Sequence, residues 1–199
     1  GGYDKVTAIL EGADTRSHTT MRALDHIAEK HGGGEGGDDP NVLLHDAVRP
    51  LLDPRIVSDC FAALEEYGAV DVAIPSADTI IEVTPDNVIK EVPPRAALRR
   101  GQTPQAFKLS VIRRAYDLAD KDPDFQATDD CSVVLRYTPD VPIWVVRGEE
   151  RNMNVTEPID VYIADKLFQL TAHQPGQLRR LHLDRRSAQC DHHRALGER

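Results

Sequence analysis

Apolar and polar residues alternate along this chain with two different periods, which predicts alternating strands and helices. Short apolar runs typical of strands lie at residues 5–10, 41–44, 70–74 and 143–146. Apolar residues recur at helical spacing at residues 21–28, 56–67 and 109–118. Because strands that alternate with helices pair in parallel through right-handed crossovers, the pattern predicts an α/β fold with a parallel sheet.

Capping residues predict where several helices begin. Ser17 is expected to cap the helix that carries Met21 and Leu24. Asp53 and Pro54 have the residue types of an N-cap and a first helical residue. A short helix is expected at residues 129–137, and a last helix is expected to begin at Thr156-Glu157-Pro158 and to end near residue 170.

Residues 79–92 break this alternation. Two apolar, β-branched runs at residues 79–83 and 88–92 flank the turn sequence Thr84-Pro85-Asp86-Asn87. This pattern predicts an antiparallel hairpin that projects from the main sheet, here called the β-arm. From residue 172 the chain is rich in Arg, His and Gln, which favours a disordered tail after a domain at residues 1–171.

Composition limits the class of protein. With 199 residues, 40% of them hydrophobic and 29% charged, the chain is long enough for one sizeable core. A formal charge of -9 argues against a nucleic-acid partner. There is no apolar run long enough for a membrane span and no signal-peptide pattern, so a cytoplasmic protein is expected. Three cysteines without C-x-x-C spacing predict neither a disulfide framework nor a metal set, and Cys190-Asp191-His192-His193 is not expected to bind a metal.

Asp46 and Arg49 are the first candidates for chemistry. They directly follow the predicted strand at residues 41–44, and the carboxyl ends of parallel strands form the usual ligand crevice of an α/β sheet. A carboxylate offers hard oxygen ligands to Mg²⁺, and a guanidinium offers paired donors to phosphate. The residues themselves leave open a second interpretation, in which a solvated Asp caps its own turn beside a surface Arg.

Four motifs, in this order, resemble the cytidylyltransferases of isoprenoid and wall-polymer synthesis. They are His45-Asp46-Ala47-Val48-Arg49-Pro50, Arg99-Arg100-Gly101-Gln102-Thr103-Pro104-Gln105-Ala106-Phe107, Thr128-Asp129-Asp130 and Asn152-Met153-Asn154-Val155-Thr156-Glu157-Pro158-Ile159-Asp160. The family couples CTP to 2-C-methyl-D-erythritol 4-phosphate or to ribitol 5-phosphate. The resemblance implies a Rossmann-like nucleotidyltransferase sheet with a projecting antiparallel β-arm.

The resemblance also implies roles for single residues. Asp46 would bind a divalent metal, expected to be Mg²⁺, and Asp46 and Arg49 would act on the substrate phosphates. The residues implied to contact CTP are Gly12, Ala13, Asp14, Thr19 and Ala47. Those implied to line the sugar-phosphate pocket are Thr79, Arg95, Thr103 and Thr128.

Each of these roles has a structural alternative. Residues 12–14 can be a plain strand-to-helix turn, although such turns also direct backbone N–H groups at ligands. Arg95 can be a solvated loop residue, and the direction of the Thr103 hydroxyl can follow from turn geometry before Pro104. Thr128 can be the cap of the next helix.

The activity that the resemblance implies is in-line attack of a sugar-alcohol phosphate on the α-phosphorus of CTP, with release of pyrophosphate. The runs at residues 99–107 and 157–169 favour ribitol 5-phosphate as the acceptor, with 2-C-methyl-D-erythritol 4-phosphate as the alternative. In this family the β-arm exchanges between two subunits, so a homodimer is expected. A general nucleotide-sugar transferase of the same fold is a third alternative, which Gln102-Thr103-Pro104-Gln105 disfavours.

Two departures from the family pattern predict weak catalysis. The family's first strand, Gly-rich loop and triphosphate-binding lysine have no counterpart in this sequence, and phosphoryl transfer depends on such groups to neutralise developing charge. Asn154 stands where the family usually has Lys, and Arg151 is a candidate to replace that charge in part. A catalytically silent homologue that binds a phosphorylated polyol or pairs with an intact subunit is therefore a further alternative.

Overall fold

The computed structural model describes residues 4–32 and 39–173, with the backbone alone for residues 171–173. The predicted tail lies outside the described residues from residue 174 onward, as do Cys190 and the two histidines that follow it. The chain divides into two units, Gly1–Asn152 and Met153–Arg199. The predicted boundary after residue 171 stays a prediction.

The first unit contains four helices and six strands in its described part. In chain order they are α1 Arg16–His31, β1 Asn41–Leu44, α2 Pro54–Ala63, β2 Ala69–Pro75, β3 Glu82–Val83, β4 Ile89–Glu91, β5 Arg99–Lys108, α3 Leu109–Ala119, α4 Asp130–Tyr137 and β6 Ile143–Arg147. A 3₁₀ turn, Arg95–Ala97, precedes β5. The second unit contains α5, Pro158–His173.

The main sheet has four strands in the order β1-β5-β2-β6 and is mixed. β6 pairs in parallel with β2, whereas β5 lies between β1 and β2 and is antiparallel to both. The α/β fold is confirmed, but the predicted all-parallel sheet is wrong. The prediction missed β5 because Gln102, Pro104 and Gln105 are residue types that argue against a central strand.

Helices cover both faces of this sheet. On one face Ile56 and Cys60 of α2, together with the C-cap residue Leu64, pack against apolar side chains of β2, β5 and β6. On the other face the core contains Leu24 of α1, Phe107 of β5 and several residues of α3 and α4. Burial on both faces explains why β1 and β2 consist of short, nearly continuous apolar runs.

The helix starts agree with the sequence in part. Asp53 is the N-cap of α2, and its carboxylate accepts a hydrogen bond from the Arg55 N–H at 2.7 Å, as predicted. The predicted cap Ser17 is wrong, because Thr15 is the N-cap of α1 and accepts from the His18 N–H at 3.1 Å. Thr128 is not a cap either, because Asp129 and Ser132 form a capping box at the start of α4.

The predicted strand at residues 5–10 is also wrong. This segment is irregular, and Val6 and Ile9 are 57% and 91% exposed. In the described part of the chain, no strand pairs with it. Because a strand is stable only when its backbone groups pair with a neighbour, the apolar pattern alone does not fix one here.

The β-arm is confirmed as an antiparallel hairpin, with β3 and β4 forming a separate two-stranded sheet. Its turn is closed by the Asn87 N–H, which donates to the Thr84 carbonyl at 2.9 Å. Asn87 has a φ of 61°, a left-handed conformation that asparagine tolerates better than most residues.

Cys60 and Cys131 are buried and unpaired with each other, as expected from their positions in apolar helix faces. Burial raises the pKa of the Cys60 thiol to about 11, so this side chain is an inert core residue at neutral pH. Among the described helices, none combines the length and apolar character of a membrane span. The cytoplasmic location stays a prediction.

Candidate active site

Asp46 and Arg49 lie together in a tight turn directly after β1. The Arg49 N–H donates to the Asp46 carbonyl at 3.0 Å, and the two side chains form an ion pair with 3.6 Å between Nε and Oδ2. The guanidinium is 11% exposed and donates through Nη1 to the Asn152 carbonyl at 2.7 Å. The Asp46 carboxylate is 39% exposed. The turn therefore presents an anchored cation beside a carboxylate that is accessible to a ligand.

His45 joins this turn to Thr103 on β5. The Asp46 N–H donates to Thr103 Oγ1 at 3.1 Å, and Oγ1 lies 3.1 Å from His45 Nδ1. His45 Nε2 lies 3.0 Å from the Arg49 carbonyl, which can only accept. Nε2 must then carry a hydrogen, and in the neutral ring Nδ1 accepts a hydrogen bond from the Thr103 hydroxyl. The structure thus brings Thr103 to the Asp46–Arg49 pair, which the sequence singled out from a different motif.

Gln102 fixes the loop that follows β6, and this loop in turn holds Arg49. The buried Gln102 amide donates through Nε2 to the carbonyls of Glu149 and Asn152, at 2.9 and 3.1 Å. Asn152 is fully buried, and its Nδ2 donates to the Thr103 carbonyl at 2.7 Å. Its carbonyl accepts from both Gln102 and Arg49, so the loop positions the guanidinium.

His45, Gln102 and Asn152 were not predicted as site residues, although each lies in a motif that carried the family resemblance. The signal that points to them is their place next to predicted ones: His45 precedes Asp46, and Gln102 precedes Thr103. Two buried polar atoms at this site have no hydrogen-bond partner in the structure, Arg49 Nε and Asn152 Oδ1. Arg49 Nε is buried and faces the Asp46 carboxylate at 3.6 Å, so the cation and the carboxylate are oriented toward each other.

Arg151 does not present a free cation. Its guanidinium pairs with Asp53 through Nη2 and lies 3.0 Å from Glu149 Oε2 through Nε. Two carboxylates therefore compensate its charge and tie the loop to the start of α2. The hypothesis that Arg151 replaces the family's lysine gains no support from this geometry.

The predicted CTP-binding residues at 12–19 form a compact turn at the start of α1. Thr19 Oγ1 accepts from the Ala13 N–H at 2.9 Å and lies 3.0 Å from the Thr15 carbonyl, to which it donates. Arg22 Nη1 donates to the carbonyls of Glu11 and Gly12 at 2.9 and 3.1 Å. The turn is preorganised by these contacts, while Gly12 and Asp14 are exposed. Their contact with a nucleotide stays a prediction.

The other predicted residues lie at separate places in the first unit. Ala47 is exposed within the Asp46–Arg49 turn, and Thr128 is exposed directly before the capping Asp129. Thr79 is exposed at the base of the β-arm, where Arg95 Nη1 donates to the Ala77 carbonyl at 3.2 Å. In the described part of the chain, no side-chain hydrogen bond or ion pair joins these four residues to Asp46, Arg49 or Thr103, and their grouping in one pocket stays a prediction.

A buried polar network lies behind the site, around Gln105 on β5. Gln105 is 2% exposed, and its Nε2 donates to Asp71 at 3.0 Å and to Asp129 at 2.9 Å. Its Oε1 accepts from the N–H groups of Asp130 and Cys131 at 3.0 and 3.1 Å. Desolvation raises the pKa of Asp71, and the nearby charge of Asp129 raises it further. The hydrogen bond from Gln105 lowers this pKa but does not cancel the increase.

Residues 2–170 match the profile of the family described as IspD, 2-C-methyl-D-erythritol 4-phosphate cytidylyltransferase. A cytidylyltransferase of that name from Thermobifida fusca is 49% identical over 172 residues, which cover 84% of this chain and 67% of the relative. The bifunctional ribulose 5-phosphate reductase/CDP-ribitol pyrophosphorylase Bcs1 of Haemophilus influenzae is 42% identical, over 86% of this chain and 35% of that relative. The chain thus spans about two thirds of the first relative and about a third of the second.

A solved structure shares the fold. It is the 4-diphosphocytidyl-2C-methyl-D-erythritol synthase of Anaerococcus prevotii, which superposes with a TM-score of 0.71 at 28% sequence identity. The match covers 81% of this chain and 70% of that one. The Rossmann-like nucleotidyltransferase fold implied by the sequence motifs is therefore confirmed. The predicted lack of an N-terminal Gly-rich loop gains no support from these matches.

Proposed function

Because the chain belongs to the 2-C-methyl-D-erythritol 4-phosphate cytidylyltransferase family, we propose that it transfers the cytidylyl group of CTP to that polyol phosphate and releases pyrophosphate. The observation that carries the proposal is the convergence of the Asp46–Arg49 pair with Thr103, from two motifs far apart in the sequence, around one hydrogen-bonded turn. An accessible carboxylate beside a buried guanidinium suits a phosphate that arrives with a divalent cation.

In the proposed reaction a phosphate oxygen of the polyol phosphate attacks the α-phosphorus of CTP. The new P–O bond forms as the bond to the bridging oxygen breaks, and pyrophosphate leaves with the electron pair. No bond to the protein forms. Positioning and charge stabilisation account for most of the catalysis in such transfers. Arg49, held through Nη1 by the Asn152 carbonyl, would place its positive charge beside the substrate phosphates.

The site offers one accessible carboxylate, that of Asp46, as a ligand for Mg²⁺. Among residues 4–32 and 39–173, no three His, Cys, Asp or Glu side chains converge as a metal cluster. Mg²⁺ is often held by one or two carboxylates together with substrate phosphates, and Asp46 offers one accessible carboxylate. Asp46 would hold the ion together with CTP, and the bound ion would neutralise charge on the phosphates.

The acceptor proposed here, 2-C-methyl-D-erythritol 4-phosphate, differs from the one that the sequence motifs favoured. Those motifs favoured ribitol 5-phosphate, whereas the relative named for 2-C-methyl-D-erythritol 4-phosphate is more similar than the one named for CDP-ribitol, at 49% against 42%. Purified chain is expected to give at least a tenfold higher kcat/KM with 2-C-methyl-D-erythritol 4-phosphate in a pyrophosphate-release assay with CTP and Mg²⁺. Preference for ribitol 5-phosphate would contradict this choice. CTP binding without turnover on either acceptor would favour the silent homologue.

We also propose that the chain forms a homodimer through the β-arm. A lone two-stranded hairpin is marginal in water, and this one exposes six large apolar side chains: Ile80, Ile81, Val83, Val88, Ile89 and Val92. Light scattering of the chain at tens of micromolar is expected to give a dimer. The double substitution of Ile80 and Ile89 by Asp is expected to give a monomer.

Leu135→Asp is the matched control for that experiment. Leu135 is 67% exposed on α4, outside the arm, so its substitution introduces a charge at a solvated position without touching the proposed interface. A monomeric parent chain, or a dimer that survives both Asp substitutions in the arm, would show that the arm has no role in association.

A further inference from the structure

The backbone ladder of the main sheet stops just before the Asp46–Arg49 turn. The last pair between β1 and β5 joins Leu44 to Gln105. From there the chain is joined to β5 by two hydrogen bonds to a single atom, Thr103 Oγ1: one from the Asp46 N–H and one with the His45 ring. The position of the turn therefore depends on how that hydroxyl is oriented.

The His45 ring determines where the Thr103 hydroxyl hydrogen points. In the neutral ring Nδ1 accepts this hydrogen, because Nε2 carries its own and donates it to the Arg49 carbonyl. A hydroxyl group that donates in one direction becomes a stronger acceptor in the other, so the bond from the Asp46 N–H to Thr103 Oγ1 is reinforced. Without the ring, the Thr103 hydroxyl is free to rotate and this reinforcement is lost.

The same ring closes the turn at its other end. His45 Nε2 holds the Arg49 carbonyl, four residues further along the chain. The Arg49 guanidinium is held separately by the Asn152 carbonyl at 2.7 Å, so this residue is anchored at both its backbone and its side chain. Through Thr103 and Arg49 the ring thus restrains the two residues whose side chains form the 3.6 Å ion pair of the site.

Both nitrogens of the His45 ring are engaged by the protein, although the residue is exposed. An exposed imidazole next to Asp46 is also a candidate for direct contact with a phosphate. Such a contact needs a ring N–H that points at the ligand, and here Nε2–H is directed at the Arg49 carbonyl. The geometry therefore favours an indirect role for this side chain.

We propose that His45 is a positioning residue of the cytidylyl transfer: it fixes the Asp46 carboxylate and the Arg49 guanidinium relative to the reacting phosphates and offers no nitrogen to either substrate. The inference rests on the proposed function, which places the substrate phosphates beside these two side chains. A misplacement of about 1 Å at such a site is enough to lower the rate by about a hundredfold. Loss of positioning lowers kcat, whereas loss of a substrate contact made equally in the ground state raises KM.

Three substitutions of His45 separate its two hydrogen bonds. His45→Asn keeps an acceptor at the δ position, His45→Gln keeps a donor at the ε position, and His45→Leu keeps neither. In the pyrophosphate-release assay with CTP, Mg²⁺ and 2-C-methyl-D-erythritol 4-phosphate, His45→Leu is expected to lower kcat by about tenfold to a hundredfold. The Asn and Gln variants are each expected to have a kcat at least about threefold above that of His45→Leu, with KM for both substrates within about twofold of the parent value.

His31→Leu is the matched control. His31 is exposed at the last residue of α1, at the opposite end of this helix from the predicted CTP-binding turn. The control makes the same exchange of imidazole for an apolar side chain at a solvated position, and it is expected to keep the parent kcat. Circular dichroism at the assay temperature is expected to show that every variant is folded, so a lower kcat does not reflect a loss of folded protein.

The outcomes separate this inference from the proposed function. If all three His45 variants keep a kcat within about twofold of the parent value, or if His31→Leu loses as much as His45→Leu, the inference is wrong, while pyrophosphate release by the parent chain leaves the proposed function standing. An equal loss in all three variants, or a raised KM with unchanged kcat, would show that the imidazole itself binds a substrate and would also overturn the inference. A parent chain that releases no pyrophosphate would overturn the proposed function and the inference with it.

Discussion

Asp46→Asn is expected to lower kcat for pyrophosphate release by about a hundredfold or more, the usual effect of removing a group that stabilises transition-state charge. The Asp46 backbone makes the contacts that shape the turn: its N–H donates to Thr103 and its carbonyl accepts from Arg49. The Asp46 carboxylate, by contrast, contributes the ion pair with Arg49 at 3.6 Å and is 39% exposed. Asparagine keeps the backbone frame and removes the charge, so thermal unfolding should change little.

Asp59→Asn serves as the control for this substitution. Asp59 is 47% exposed on α2 and pairs with Arg55 one helical turn away, so it also loses one exposed ion pair. Such pairs contribute little to stability, and the control is expected to retain parent activity. If the activities of the two variants lie within threefold of each other, Asp46 has no part in the reaction.

The local pattern predicted most elements of the fold but missed β5. Amphipathic spacing predicted α1, α2 and α3, and apolar runs predicted β1, β2 and β6, because these elements bury apolar residues against the core. β5 is central and yet polar: the partners of Gln105 lie at Asp71 and Asp129, far along the chain. A window of local sequence cannot show that such side chains are satisfied, so a buried polar strand looks like a loop.

The same reason limits what could be predicted of the site. Asp46 and Arg49 could be named as candidates because a turn after a strand and the residue types both point to phosphate chemistry. The roles of His45 and Asn152 depend on contacts across about sixty and one hundred residues, to Thr103 and Arg49 respectively. Apolar residues at 5–10 predicted a strand, but an apolar run carries no information on whether a neighbour is there to pair with it.

Gly148→Ala is expected to lower the free energy of unfolding by about 2 to 4 kcal/mol, the sum of overpacking and of a disturbed buried hydrogen bond. A Cβ at this position would lie 2.2 Å from Gln102 Oε1 and 3.0 Å from Val72 Cγ1. Both neighbours are buried, and Gln102 cannot turn away without releasing the carbonyls of Glu149 and Asn152. Because the Asn152 carbonyl holds Arg49, kcat should fall as well, by about tenfold.

Gly101→Ala, on β5, is the matched control. A Cβ there meets nothing within 4 Å, so this glycine has open space where Gly148 has none. Urea unfolding is expected to place Gly101→Ala within about 0.5 kcal/mol of the parent chain, as for most surface substitutions. Equal loss of stability in both variants would show that strand propensity, rather than contact with Gln102, sets the cost. If Gly148→Ala were stable but had a reduced kcat, the whole loop would have shifted and moved Arg49 with it. If the variant were stable and fully active, Gln102 would not position Arg49.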